Sequence, residues 1–176
     1  PKNRRRRCIF TPTNTASPGS GGVAHVSSFK DNDDVPCFVF NSRGKNIGDA
    51  AVHEIGHTLG LLHDGRPGET YYWGHGYWAP VMGVGYYKSL VQWSKGEYAN
   101  ANNREDDLAI MSGTTYGVGY RADDCGNTAT AATLLTTDAF GNVSNKGIIE
   151  HTADVDMFSF STSGGLANLT FNPNAY

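Results

Sequence analysis

Cysteine is scarce in this chain. Cys8, Cys37 and Cys125 are the only three among 176 residues, so one disulfide is the maximum and a small disulfide-stapled scaffold is excluded. Cys8 and Cys37 flank candidate strands and could pair, if the backbone brings them close enough. Long apolar runs are missing too. No stretch approaches the ~20 apolar residues that a membrane-spanning helix requires. A signal peptide is also missing, and Pro1 stands where an initiator Met would be, so the chain reads as a fragment and its start says nothing about export. Positive charge is sparse outside one place. Lys2 and the Arg4–Arg7 run supply five of the 14 basic residues, which leaves nine against 17 acids in the rest of the chain. An acidic body with one basic tag argues against a nucleic-acid-binding face, which would spread its positive charge over a folded surface. The run itself reads as a solvated or poorly ordered start, with a processing site or a phosphate-binding tail as alternatives.

What is present suits a folded soluble protein: 39% hydrophobic and 18% charged residues. Cys8-Ile9-Phe10 reads as the end of a strand, closed by Thr11-Pro12, and residues 13–22 as a Ser/Thr/Pro/Gly loop. Val23–Phe29 reads as a short strand, 30–36 as a polar turn with three aspartates, and Cys37–Phe40 as a compact strand. A helix is expected from about Asp49, as cap or first-turn acid, to Leu59, stopped by a left-handed Gly60. Residues 65–81, rich in Gly, Tyr, Trp and Pro, read as a long structured loop. Leu90–Tyr98 reads as weakly helical. Asn103–Met111 reads as a short helix with Glu105, Asp106 and Asp107 in its first turn, where the helix dipole favours acids. After Gly119 the composition shifts to Thr, Asn, Gly and Asp. Alternation then takes over at Val155, Met157 and Phe158–Phe160, and again at Ala167, Leu169 and Phe171, a period-2 strand signal. The domain boundary is expected at 117–122, giving domains 1–118 and 119–176.

Residues 53–64 read His-Glu-Ile-Gly-His-Thr-Leu-Gly-Leu-Leu-His-Asp. His53 and His57, four apart, share one face of a helix one turn apart. Gly60 permits a sharp turn that returns His63 as a third ligand. Three protein ligands leave a fourth position open, the catalytic rather than the structural zinc pattern. Glu54 lies beside the pair, able to reach a zinc-activated water as general base without being a ligand. Ile55, Leu59, Leu61 and Leu62 are expected to anchor the helix. A chance match to all five fixed positions is on the order of one in 10⁴ or rarer. The bland readings are a core histidine cluster and a zinc site that does not catalyse; the presence of Glu54 gives the second no support in the motif.

The motif resembles the long zinc signature of the metzincin metalloproteases, and Asp64 after the third histidine looks like their adamalysin/reprolysin branch. Ala79-Pro80-Val81-Met82-Gly83 resembles the Met-turn, whose methionine packs as an apolar floor beneath the zinc ligands; a lone Met as plain core filling is nearly the same reading. Val84 stands where astacin-like and serralysin-like branches carry a tyrosine, so no tyrosine ligand is assigned. Gly21-Gly22-Val23-Ala24-His25-Val26 resembles the edge strand that pairs with extended substrate in this family. The resemblance covers about residues 9–117 and implies an upper subdomain truncated ahead of His53. His25, His75 and His151 are read as surface or structural residues. The tail resembles a bacterial pre-peptidase C-terminal domain, on Asp123-Asp124-Cys125-Gly126-Asn127-Thr128, Gly147-Ile148-Ile149-Glu150 and Asp154-Val155-Asp156-Met157-Phe158-Ser159-Phe160. That implies a partial all-β sandwich. Asp154 and Asp156 offer oxygen ligands for calcium, although acids on the polar side of a strand are more often solvated.

The expectation is therefore an α+β chain: the C-terminal part of a metzincin-type catalytic domain followed by a partial sandwich. Its sites would be Glu54 as base, His53, His57 and His63 on zinc, and Gly60 and Met82 as supports. The resemblance implies a secreted endopeptidase acting on proteins or peptides, with no nucleic-acid partner and no membrane span. The alternatives are an inactive fragment and a secreted binding module that retains a zinc site. The specificity pocket, formed partly by the 65–81 loop, is not readable from sequence.

Overall fold

The computed structural model describes residues 5–40 and 44–172, which excludes the first part of the basic tag and the last four residues. The chain divides between Val118 and Gly119 into two compact units. It mixes α and β structure, with few helices and small sheets. Among the described residues no helix is long and apolar enough to cross a membrane.

The first unit opens with a three-stranded sheet of β1 (Cys8–Phe10), β2 (Gly22–Val23) and β3 (Cys37–Val39), in the order β1-β3-β2. β1 runs parallel to β3, with Cys8 opposite Cys37, while β2 runs antiparallel to it at the edge, with Gly22 opposite Val39. Cys8 and Cys37 are thus cross-strand neighbours, and both are free thiols. Burial pushes the Cys37 thiol up to about 12. The strand expected over Val23–Phe29 is cut short. After Val23 the chain leaves the ladder, Ser27 takes a left-handed φ of 65°, and Ser28–Lys30 form a 3₁₀ turn. Ser27 N–H donates to the His57 carbonyl at 2.8 Å, so this segment is drawn to the end of the helix instead of along β3. Of the basic tag, Arg6 and Arg7 are held by the polar turn. Arg6 donates to the Asp31 and Asp33 carbonyls and Arg7 pairs with Asp34 at 2.7 Å, so this part of the start is not simply solvated.

α1 (Gly44–Thr58) packs on β3 and begins a turn and more before the expected start. Asp49 lies inside the helix rather than at its cap, ion-paired to Lys45 one turn earlier. The helix ends in a Schellman motif. Gly60, at φ +91°, donates to the His57 carbonyl at 2.9 Å and Leu61 N–H donates to the Gly56 carbonyl at 3.1 Å. A side chain at Gly60 would also meet the Tyr116 hydroxyl at 2.3 Å, so glycine is required twice over. Leu59 and Leu61 enter the core, whereas Ile55 and Leu62 are 39% and 52% exposed, contrary to the expectation that all four anchor the helix.

The 65–81 loop carries two isolated bridges and ends in β4 (Trp78–Pro80), which pairs in parallel with β5 (Leu90–Gln92). Leu90–Tyr98 is therefore strand and turn, not helix: the tertiary partner β4 overrides a weak local preference. α2 (Asp107–Ser112) is shorter than expected, because Asp106 caps it by accepting from Ala109 N–H at 2.9 Å and leaves Asp107 as the one first-turn acid. Leu59, Leu61, Val81, Met82, Met111 and Tyr116 form the core, with Phe29, Val91, Trp93 and Ile110 packed against it.

The second unit holds β6 (Thr133–Leu134) and β7 (Phe158–Ser159), one parallel pair. Two packed sheets are not found among its described residues, and Leu169 and Phe171 are exposed and outside any strand.

Candidate metal centre

The four-residue spacing of His53 and His57 on α1 places their rings 4.8 Å apart, centroid to centroid. The Schellman turn then reverses the chain so that the His63 ring lies 4.7 Å from His57 and 5.4 Å from His53. One ligand-capable nitrogen from each residue lies within 4.8 Å of the other two, so the three could hold a metal ion.

Two of the imidazoles are oriented by backbone. His53 Nδ1–H donates to the Val81 carbonyl at 2.9 Å and His57 Nδ1–H to the Leu61 carbonyl at 2.8 Å. With the proton fixed on Nδ1, the Nε2 lone pair of each ring faces the centre, which is how carbonyl partners prepare histidine for a metal. His57 Nε2 and His63 Nε2 approach to 2.9 Å. Burial pushes His53 down to about 3 and His63 down to about 4, with the neighbouring His57 adding to both, and burial also lowers His57. All three are thus neutral at pH 7, the form in which imidazole donates a lone pair. Three neutral imidazoles, each with a lone pair on one ring nitrogen, form a donor set that could hold a metal ion.

Glu54 is 6% exposed, its Oε2 has no hydrogen-bond partner, and burial raises it to about 7. Its carboxyl lies against the edge strand: a side chain on Gly22 would meet Glu54 Oε1 at 2.6 Å. An orphaned carboxylate beside three desolvated nitrogens is what a cation at the centre would relieve. Met82 is fully buried in the core, and its sulfur would touch a side chain placed on Gly56, between the two helical histidines. The turn around it is tied to the site twice, through the Val81 carbonyl on His53 and through Asp64 N–H, which donates to the Met82 carbonyl at 2.9 Å. Asp64 is 2% exposed, raised to about 6 by burial, and receives a long hydrogen bond from the Tyr98 hydroxyl at 3.4 Å.

A cavity of about 320 Å³ opens beside the centre, bounded by Gly22, His53, Glu54, Tyr71, Gly83 and Tyr87 among others. A larger hollow of about 610 Å³, between Trp78, Trp93 and Leu108, contains neither Glu54 nor any of the three histidines. The smaller cavity is the one that Glu54 borders. Sequence reasoning missed the contacts that three residues make around the site. Tyr71 lies with its ring 4.3 Å from His63, and its hydroxyl is pushed up by burial and then by the charge of Glu54. Gly22 makes room for Glu54, and Tyr116 closes the turn at Gly60. No spacing rule marks any of the three, because each acts from a separate segment. His25 and His75 are exposed and outside the triad; His75 is hydrogen-bonded to the Tyr72 hydroxyl at 2.9 Å. His151 belongs to the second unit, with its ring against Tyr120. Tyr86 and Tyr87 line the cavity with Val84.

No family model matches the chain, and no curated protein or solved structure matches it either.

Proposed function

We propose that the chain carries the zinc centre of a secreted endopeptidase of the metzincin type, with a tail related to pre-peptidase C-terminal sandwich domains. The observation that carries the reading is the combination of three neutral, convergent imidazoles with one buried carboxylate whose free oxygen has no partner. A structural zinc site has no use for an adjacent desolvated carboxylate, and a core histidine cluster does not need both Nδ1 protons directed outward to carbonyls.

His53, His57 and His63 would hold zinc, which when bound would polarise a peptide carbonyl and acidify water. Glu54 receives the proton of the attacking water at its unpartnered oxygen and returns it to the leaving amine. Its desolvation raises its basicity and keeps bulk water from competing for that proton. The Val81 and Leu61 carbonyls hold the two helical rings in their working tautomer. β2, the outer strand of its sheet, borders the cavity with Gly22 and would pair with extended peptide, while Tyr71 flanks His63 from the opposite loop. Met82 supports α1 from below at Gly56.

The test joins two readouts on the purified chain: zinc content, and cleavage of an unfolded casein-like substrate with and without chelator. One zinc per chain and chelator-sensitive cleavage are expected. Zinc without cleavage would favour an inert binding module.

A further inference from the structure

The second unit has few basic residues and many acids. Residues 119–174 contain Arg121 and Lys146 against six carboxylates, and none of the six forms an ion pair with Lys or Arg among the described residues. Five of the six lie on two loops, 123–127 and 150–156, which are stitched together beside the β6–β7 pair. Met157 N–H donates to the Gly126 carbonyl at 3.1 Å, and Val155 N–H donates to Asn127 Oδ1 at 3.0 Å. This brings carboxylate oxygens of Asp123, Asp154 and Asp156 within 4.8 Å of one another.

Proximity of acids is common on surfaces, but the burial here is not. Asp154 is 7% exposed, one of two buried residues among those described in its unit. One of its oxygens accepts from Glu150 N–H at 3.0 Å, while the other, Oδ1, has no partner and no contact with water. Asp156 Oδ1 and both carboxyl oxygens of Glu150 are in the same condition. Gly147 makes room for the cluster, since a side chain there would meet Asp156 Oδ2 at 2.0 Å. Four carboxylate oxygens removed from water without a donor are strongly unfavourable unless something positive lies among them.

We propose that Asp123, Asp154 and Asp156 form a calcium site that clamps the 123–127 loop to the 150–156 loop. The ligand set decides the ion. Calcium accepts six to eight oxygens in flexible geometry, from carboxylates, carbonyls and water, whereas magnesium demands a strict octahedron that two loops joined by a few hydrogen bonds do not enforce. A softer ion would need the Cys125 thiolate, which lies near Asp124 and Asp156. Asp123, Asp154 and Asp156 offer oxygen alone, the donor set that hard cations take and soft ions do not. The site is independent of the proposed zinc chemistry, because it shares no residue with it.

The test is calorimetric titration of calcium into the full chain, stripped with chelator and then given one equivalent of zinc to fill the histidine triad. One saturable calcium equivalent is expected, with a Kd of about 10⁻⁴–10⁻³ M, the range of extracellular calcium modules, and with weaker binding of magnesium. Asp154→Asn and Asp156→Asn should each weaken it at least about tenfold, the effect of removing one charged ligand, or ~1.4 kcal/mol. Asp33→Asn, an exposed acid of the first unit, should leave it unchanged. Hydrogen exchange on the unmutated chain guards against misfolded variants: calcium should slow exchange in 123–127 and 150–157 and leave 53–63 as it was. No saturable heat up to about 10 mM calcium, well above that range, would overturn the proposal. So would equal binding by folded Asp154→Asn, or protection only elsewhere in the chain.

Discussion

The two units use the same kinds of residue to opposite effect. In the first, Leu61, Met82 and Val39 are wholly buried around one helix, and every turn near the histidines is pinned by a backbone hydrogen bond. In the second, Phe140, Leu166 and Phe171 are 89%, 91% and 84% exposed, and the buried residues among those described are Cys125 and Asp154. The difference shows what an apolar pattern requires. A helix stripe can be covered by one sheet and one returning turn, whereas alternating strands need a second sheet to face. Rigid placement of side chains for chemistry is therefore expected in the first unit and not in the second.

The same substitution made in each unit sharpens this contrast most. Met82→Asp would bury an unpaired carboxylate in the core and should cost several kcal/mol, enough to unfold a domain of ordinary stability. Leu166→Asp should change stability by no more than about 0.5 kcal/mol. Chemical denaturation of the two variants checks both. A severe effect at Leu166, or a mild one at Met82, would break the comparison.

A second contrast is visible through pH. Asp107 is 1% exposed, accepts from Ser94 N–H at 2.9 Å through Oδ2, leaves Oδ1 unpartnered, and is raised to about 7 by burial. A carboxyl whose folded pKa lies above its unfolded value of 3.8 binds more protons when folded, so stability falls as pH rises between about 4 and 7. Asp107→Asn, which keeps an acceptor, should flatten that fall, by about 1.4 kcal/mol per pH unit as an upper bound. Melting curves from pH 4 to 8 on both proteins measure it. Parallel curves would show that Asp107 does not carry the effect.

Smaller effects follow at the turn and the floor of the site. Gly60→Ala should cost about 1–2 kcal/mol for the left-handed backbone, plus whatever displacement of Tyr116 requires. Because that turn returns His63, zinc affinity should fall with it, read by competition with a chromophoric chelator. Unchanged affinity would separate the turn from the metal. Met82→Leu, nearly equal in volume, should cost under about 1.5 kcal/mol and keep zinc.

The parts of this chain that were legible in sequence are those governed by short-range rules. The helix around His53 and His57 follows from the four-residue spacing, and its stop follows from Gly60, whose positive φ few other residues accept. The helix start was misplaced because Gly44, Asn46 and Gly48 are weak helix formers. Here they are carried by packing on β3 and by the Lys45–Asp49 pair. Leu90–Gln92 became a strand only because β4 was available beside it, and Val23–Phe29 lost its ladder to a hydrogen bond from Ser27 to the helix end. Of the candidate centre, the histidines and Glu54 sit in one continuous segment and could be read directly. Gly22, Tyr71 and Tyr116 reach it from segments with no repeating pattern, so only the fold brings them into view.

Replacing Glu54 with glutamine tests the central claim most directly, since it preserves shape and removes the base. Glu54→Gln should retain one zinc per chain and lose proteolysis by about 10²–10⁴-fold, the usual contribution of a general base. Full activity in the variant would contradict the account by requiring another base, and joint loss of zinc and activity would make Glu54 a structural support of the metal site.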